Sequence, residues 1–219
     1  MAKLPNPLKA VLFDFDGTLA DSYPAIAASV NHVRDVRGHP PLSVEVVKSF
    51  VGKGPEYLLS NTIPGGNVDD DLATYRDHHP SVMLDNTQLL PGALEALAII
   101  KRSDLHIGLC SNKPRIYSER LLTHLDIADY FDVVLGPEDV ERIKPAPDML
   151  HSALDRLQIR AEETLYVGDM RVDIQTARGA GVTVWVVPTG SDTVQALSEA
   201  APDRLLADLA ELVSALESR

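Results

Sequence analysis

Two aspartates near the amino terminus are the residues of this chain whose type and spacing most suggest chemistry. Asp14 and Asp16 lie in the run VLFDFDGTLADS, directly after three apolar residues. If residues 9–14 form a buried strand, the strand brings two carboxylates to the edge of a sheet, where desolvated like charges repel one another. A metal ion or a reacting group would compensate that repulsion. An Asp-Gly hairpin turn is the structural alternative.

The same two carboxylates are suited to phosphoryl chemistry. A carboxylate such as Asp14 can attack phosphorus and form an acyl phosphate that water then cleaves. Asp16, two residues further on, could protonate the departing oxygen and later deprotonate the attacking water. The pair therefore predicts a nucleophile followed by a general acid and base.

Polar residues also follow two later candidate strands. Ser111 and Asn112 come after the apolar run 105–110 and just before a helix start, where a hydroxyl and free amides suit a phosphate oxygen. A plain helix cap is the alternative there. Lys144, in the run RIKPAPDM, could neutralise Asp14 and a transferring phosphoryl group, or it could be a solvated loop lysine.

A fourth polar group follows the candidate strand 164–168. The run GDMRVD places Asp169 at the strand edge and Asp173 four residues later. If a helix starts between them, both carboxylates lean toward one site and form with Asp14 the all-oxygen cluster that Mg²⁺ prefers. Acids that favour a helix dipole are the alternative, which explains Asp173 better than Asp169.

Short apolar runs alternate with helical stretches through most of the chain, which is typical of parallel strands joined by crossover helices. The pattern predicts helices opened by Pro91, Pro114 and Pro147. We expect an α/β fold with a Rossmann-like open parallel sheet. The predicted strands span 9–14, 105–110, 132–135, 164–168, 182–187 and 204–206.

Residues 19–86 interrupt this alternation, because they contain helical patterns and no convincing strand. We therefore predict a discontinuous core domain of residues 1–18 and 87–219 with an inserted all-helical cap domain of residues 19–86. The insertion would lie above the carboxyl edge of the sheet, where open α/β folds bind ligands. The predicted cap helices span about 22–37, 43–50, 55–61 and 69–79.

Composition narrows the class of partner. The chain of 219 residues carries a net charge of −12, which argues against attraction to nucleic acid or to an anionic membrane. An anionic ligand would need a local cationic site. No apolar stretch is long enough for a membrane span and no signal-peptide pattern opens the chain, so a cytoplasmic location is expected.

Several single residues carry a structural or a functional interpretation of their own. Cys110 has apolar neighbours and is expected to be an inert strand residue, and Trp185 is expected in the sheet core. Lys53, between two glycines, could reach a substrate carboxylate or could be a solvated loop charge. Arg178 is expected to be structural or exposed. The pair His78 and His79 shows no metal spacing and is expected at an exposed helix end.

Taken in order, DFDGTL, Ser111-Asn112, Lys144 in KPxP and GDMRVD resemble the four motifs of the haloacid dehalogenase superfamily. The resemblance covers essentially the whole chain. The helical insertion is similar to the C1 cap of the group that contains phosphoglycolate phosphatases and β-phosphoglucomutases. The run GTLADS, the loop VGKG and Pro91-Gly92 look most like the phosphatases of that group.

The resemblance implies that Asp14 is the nucleophile and Asp16 the acid and base, while Ser111 and Lys144 bind the phosphoryl group. The presence of Asp16 favours phosphate transfer, since a halide leaving group needs no proton.

The resemblance also implies a bound Mg²⁺. Its ligands would be Asp14, the backbone carbonyl of Asp16 and Asp169, with Asp173 orienting a water ligand. We therefore expect a Mg²⁺-dependent phosphatase for a small phosphorylated metabolite, with phosphoglycolate the leading substrate, in a monomer or homodimer. A phosphosugar mutase like β-phosphoglucomutase is the alternative, and a phospho-acceptor signalling domain is a more remote one.

Overall fold

The computed structural model of the protein describes residues 4–218. Within these residues, eight strands and ten α-helices follow one another. The strands are β1 Ala10–Phe13, β2 Ala20–Asp21, β3 Gln88–Leu89, β4 His106–Cys110, β5 Val133–Leu135, β6 Thr164–Gly168, β7 Thr183–Val186 and β8 Arg204–Leu205. The helices are α1 Tyr23–Val36, α2 Val44–Lys48, α3 Pro55–Thr62, α4 Val68–Val82, α5 Ala93–Arg102, α6 Arg115–His124, α7 Asp148–Leu157, α8 Arg171–Ala180, α9 Val194–Glu199 and α10 Leu209–Glu217. No described helix is both long and apolar enough to span a bilayer.

Six of the strands form one parallel sheet in the order β5-β4-β1-β6-β7-β8. Central strand β1 pairs on both sides, with Val11 opposite Ile107 of β4 and Leu165 of β6. The strand order changes direction at β1. At such a point the loops that leave adjacent strands diverge and open a crevice at the carboxyl edge of the sheet.

Alternate residues of β1 point to opposite faces of the sheet, as the period of a strand requires. Val11 and Phe13 belong to a hydrophobic cluster completed by residues of α5, α6 and α10. Leu12 belongs to a second cluster, completed by residues of α7, α8 and α9. Both faces of the sheet are therefore covered, which explains why all four residues of β1 are buried.

Helices α1 to α4 pack around a third hydrophobic cluster that is separate from the two sheet clusters. Two of these helices have side-chain caps: the Ser43 hydroxyl accepts from the Val46 N–H at α2, and Asn67 accepts from two backbone N–H groups at α4. The four helices lie between β2 and β3 in the chain. The cap boundaries at residues 19 and 86 remain a proposal.

The six predicted strands of the parallel sheet are confirmed to within one or two residues at each end. The prediction that residues 19–86 contain no strand is wrong, since β2 and β3 form a short antiparallel ribbon in which Ala20 pairs with Leu89. The pairing joins residues almost 70 apart, so local periodicity could not reveal it. All three of the prolines predicted to open helices, Pro91, Pro114 and Pro147, precede the first helical residue instead of occupying it.

Candidate active site

Asp14 immediately follows β1, where the backbone leaves the sheet. Its N–H donates to the Val167 carbonyl of β6 at 3.0 Å, so the last hydrogen bond of the sheet fixes the residue. The Phe15 N–H donates to Asp14 Oδ1 at 2.7 Å, and Lys144 Nζ lies 2.8 Å from Asp14 Oδ2. The carboxylate is therefore held from both sides at the carboxyl edge of the sheet.

Lys144 lies between β5 and α7, and its ammonium group joins two acids. Lys144 Nζ donates to Asp173 Oδ1 at 2.7 Å and to the Tyr166 hydroxyl at 3.0 Å, besides its contact with Asp14. Burial alone lowers the pKa of Lys144. The nearby Asp14 and Asp173 carboxylates raise the pKa by more than burial lowers it, so the net shift is upward. Lys144 therefore remains a buried cation.

Asp169 and Asp173 flank the start of α8, as the sequence predicted. The backbone N–H groups of Asp169 and Met170 donate to Asp173 Oδ2 at 3.2 and 3.1 Å, so Asp173 caps its own helix while its other oxygen faces Lys144. The Thr18 hydroxyl donates to Asp169 Oδ1 at 2.7 Å. Asp169 Oδ2 is buried and has no hydrogen-bond partner within residues 4–218.

Burial makes the ionised forms of these acids costly. Desolvation, opposed by Lys144 and reinforced by Asp173, raises the pKa of Asp14 to about 6. Desolvation and the charges of Asp173 and Asp14 raise the pKa of Asp169 well above its usual range. The physical cause is that carboxylates crowd together out of water with too little positive charge among them.

A divalent cation fits this arrangement. One oxygen each from Asp14, Asp169 and Asp173 lies within 4.8 Å of the others, and all three residues are buried. Among the described residues, Lys144 is the one cation paired with these acids, and it contacts Asp14 and Asp173 but not Asp169. The unpaired Asp169 Oδ2 is a ready ligand, and an all-oxygen donor set suits Mg²⁺. The triad could hold a metal ion.

Asp16 has a cationic partner that the sequence analysis missed. Lys113 Nζ lies 2.9 and 3.1 Å from the two carboxylate oxygens of Asp16, and the Ser22 hydroxyl also donates to this carboxylate. The side chain of Lys113 is only 5% exposed, so it is not a surface lysine. Its position directly after Ser111-Asn112 was the available clue, but a loop lysine is usually solvated.

Ser111 and Asn112 follow β4, and their side chains make different contacts. Ser111 is buried, its hydroxyl accepts from the Lys113 N–H at 3.3 Å, and its side chain acts to lower the pKa of Asp14 against the effect of burial. Asn112 Nδ2 donates to the Gly52 carbonyl at 3.0 Å and to the Lys144 carbonyl at 3.1 Å. The Lys144 N–H donates to Asn112 Oδ1 at 3.0 Å. The amide thus ties three loops together.

A cavity lies between the sheet edge and helices α1, α3 and α4. The catalytic candidates Asp14, Asp16 and Ser111 form its floor together with Lys113. Apolar and aromatic residues form most of the remaining wall, a composition typical of sites that bury a small ligand. The full lining is Asp14, Asp16, Ile26, Val51, Gly52, Gly54, Pro55, Leu58, Tyr75, Arg76, His79, Ser111, Asn112, Lys113, Pro114, Tyr117 and Met170.

The prediction that His78 and His79 form an exposed helix end is wrong for His79, which is 1% exposed and lines the cavity. Its Nδ1 lies 2.9 Å from the Ser29 hydroxyl, and its ring stacks on Tyr75 of the same helix. Desolvation lowers its pKa to about 3, with the Lys113 charge adding to the effect. His79 is therefore neutral.

The remaining single-residue predictions have mixed outcomes. Lys53 is exposed, its Nζ lies 4.6 Å from the Tyr57 ring, and it does not line the cavity. Arg178 donates to the Ala201 carbonyl and has a structural role. Cys110 is buried with a pKa raised to about 12 by desolvation, and Trp185 is buried in the sheet, so both of those predictions are confirmed.

Residues 11–187 match the family model described as haloacid dehalogenase-like hydrolase. The chain belongs to the haloacid dehalogenase-like hydrolase family. This hydrolase is 31% identical to a phosphoglycolate phosphatase of Nitrosospira multiformis, over 97% of both chains. It is 34% identical to a phosphoglycolate phosphatase of Yersinia pseudotuberculosis, over 95% of this chain and 93% of the relative.

Solved structures support the same grouping of the hydrolase. A haloacid dehalogenase-like hydrolase from Bacteroides fragilis superposes with a TM-score of 0.87 and 33% identity, over 94% of this chain and 99% of that one. The similarity therefore includes both the sheet and helices α1 to α4. The predicted family and fold class are confirmed, and the hydrolase is phosphoglycolate phosphatase-like.

Proposed function

We propose that this hydrolase is a Mg²⁺-dependent phosphatase that cleaves a small phosphomonoester through an aspartyl-phosphate on Asp14, with phosphoglycolate as the leading substrate. Its family and its relatives make it a phosphoric monoester hydrolase. The observation that carries the mechanism is the placement of Asp14 beside a buried lysine, two buried acids and an open cavity.

Asp14 would attack the phosphorus atom while the bond from phosphorus to the ester oxygen breaks. Asp16 would give its proton to that oxygen, which leaves as an alcohol. Asp16 would then take a proton from a water molecule as the water attacks the aspartyl-phosphate, releasing phosphate and free Asp14. The Ser22 and Lys113 contacts of Asp16 support this role, since they hold its carboxylate at the cavity.

Charge neutralisation at the phosphoryl group would come from Lys144 and a metal ion. The metal, held by Asp14, the Asp16 carbonyl and Asp169, would screen the negative charge of the phosphate. Asp173 would orient the site through Lys144 and the start of α8. Lys144 is well suited because its ammonium is buried and needs no reorganisation.

Ser111 and Asn112 would bind phosphate oxygens at the end of β4. The side-chain atoms of Asn112 are engaged with backbone groups, whereas no acceptor for its backbone N–H is found among residues 4–218. We therefore propose that Asn112 contributes this N–H, and Ser111 its hydroxyl.

The substrate carboxylate of phosphoglycolate would need a cation in a protein of net charge −12. Lys113 and Arg76 line the cavity and supply positive charge there. Lys53 remains a proposed contact that requires the loop 51–54 to turn its side chain away from Tyr57. The cavity wall contributed by Ile26 and Leu58 is apolar, which supports exclusion of bulk water during the reaction.

The test is a phosphate-release assay with purified protein on a panel of phosphomonoesters that includes phosphoglycolate and β-glucose 1-phosphate. We expect Mg²⁺-dependent release, with phosphoglycolate preferred, and a loss of at least about 1,000-fold in Asp14→Asn. Asp129→Asn, which changes an exposed acid, is the matched control. Activity that persists in Asp14→Asn would overturn the mechanism, and conversion of hexose phosphates without phosphate release would identify a mutase.

A further inference from the structure

Two buried polar atoms that have no hydrogen-bond partner in the described part of the chain lie close together beside the candidate metal site. They are the hydroxyl oxygen of Tyr23 and Oδ2 of Asp169, whose residues are 3% and 0% exposed. A Cβ atom added at Gly17 would lie 2.2 Å from the Tyr23 hydroxyl and 2.7 Å from Asp169 Oδ2. The two oxygens are therefore no more than 4.9 Å apart, these distances combined. A side chain at position 17 would occupy the space beside both oxygens.

The ring of Tyr23 packs against a lysine that also contacts the loop after β7. Tyr23 is the first residue of α1, and Lys48 Nζ of α2 lies 4.4 Å from its ring centroid. Lys48 also donates to the Thr189 carbonyl at 2.8 Å, and the Thr189 hydroxyl donates to the Gly17 carbonyl at 2.5 Å. The orientation of the phenol is thus fixed by packing and not by a hydrogen bond of its own hydroxyl.

An unpaired hydroxyl at this depth needs an explanation, because burial without a hydrogen bond destabilises a fold. Burial raises the pKa of Tyr23 well above 10.0, and the charges of Asp169, Asp16, Asp14 and Asp173 raise it further. The hydroxyl is therefore a permanent proton donor that lies among four carboxylates, yet it donates to none of them.

We propose that Tyr23 is a positioning residue of the metal site, whose hydroxyl donates to a water molecule that in turn donates to Asp169 Oδ2, a ligand of the divalent cation. Two hydrogen bonds that meet at one water span a separation of this size. The inference rests on the proposed function, since it needs the metal. It adds a residue of α1 to the metal site, so that helices α1 to α4 contribute to metal affinity as well as to the cavity wall.

The experiment compares metal binding in the full-length native protein and in Tyr23→Phe. The metal-free proteins are titrated with Mn²⁺ and free Mn²⁺ is followed by its electron paramagnetic resonance signal, with Mg²⁺ as competitor. Loss of an outer hydrogen bond at a metal site weakens affinity by about 10- to 100-fold, and we expect a Kd at least about tenfold higher. Tyr130→Phe, a partly buried tyrosine packed against the sheet core, is the matched control and should leave the Kd unchanged.

Thermal unfolding separates this role from a merely structural one. Tyr23→Phe removes an unpaired hydroxyl, so the metal-free variant should be as stable as the native protein or more stable, while its Tm should rise less with Mg²⁺. An unchanged Kd together with an unchanged Mg²⁺-dependent rise in Tm would overturn the inference and leave the proposed function intact. Native protein that binds neither metal would overturn both.

Discussion

Asp14→Asn should make the metal-free hydrolase more stable above pH 6, although it removes the proposed nucleophile. The substitution keeps the size of the side chain and its acceptor for the Phe15 N–H at 2.7 Å, while it removes a buried negative charge. The pKa of this carboxyl rises from 3.8 to about 6 on folding, chiefly through desolvation. The folded state therefore tolerates the charged form poorly.

The size and the sign of the expected stability difference follow from proton linkage. A carboxyl with a raised folded pKa stabilises the fold fully below its unfolded value, and that contribution is lost as the pH rises through the folded value. The difference between 3.8 and about 6 corresponds to about 3 kcal/mol at 1.36 kcal/mol per pKa unit. Asp14 is only 6% exposed, so solvent screening does little to reduce this order of magnitude, and the attraction of Lys144 is already part of the shift.

The assay is urea unfolding of native protein and Asp14→Asn from pH 4 to pH 8 in the presence of a chelator. We expect the two proteins to be similar near pH 4 and Asp14→Asn to be more stable by about 2 to 3 kcal/mol at pH 7, with Asp129→Asn matching the native protein throughout. Added Mg²⁺ should make the native protein the more stable of the two, since the native site binds the ion better than the Asp14→Asn site does. A stability difference that does not change with pH would refute the reasoning.

Three further predictions concern packing, loop connection and the second acid. Gly108→Ala adds a methyl group 2.5 Å from a side-chain carbon of the neighbouring strand, and urea unfolding should show a loss of about 1 to 3 kcal/mol. Asn112→Ala leaves the buried backbone N–H and carbonyl of Lys144 without partners, so unfolding should show a loss of about 2 to 4 kcal/mol, unless water replaces the amide. Lys113→Met removes the cation that holds both oxygens of Asp16, and steady-state kinetics should show a fall in kcat of at least about tenfold. An unchanged kcat would contradict the role given to this contact.

Three polar residues of the site could be predicted because each directly follows a buried strand. Asp14, Ser111 and Asp169 directly follow β1, β4 and β6, whose apolar runs are visible in the sequence. Parallel strands bring their carboxyl ends to one edge, so a correct strand assignment also places these side chains near one another. The position of Lys144 was harder to predict, since this residue lies in a loop well after β5.

The contacts that cross between distant parts of the chain could not be predicted. The ribbon of β2 and β3, the pairing of Lys113 with Asp16, and the burial of His79 all depend on an element that lies far away in sequence. A lysine in a loop and a histidine near a proline look solvated until a helix covers them. Their role is a property of the packing and not of local periodicity.

The sequence by itself determined the parallel sheet, the helical insertion and the acids at the carboxyl edge, because apolar periodicity and strand ends are local features of the chain. Only the tertiary structure decided which polar groups are buried together and which of them lack a partner. The reason is that desolvation and close approach depend on all the elements that surround a side chain. Tyr23 illustrates this: it reads as an ordinary helix-start residue in the sequence, and it becomes an unpaired donor beside Asp169 only when α1 packs over the sheet edge.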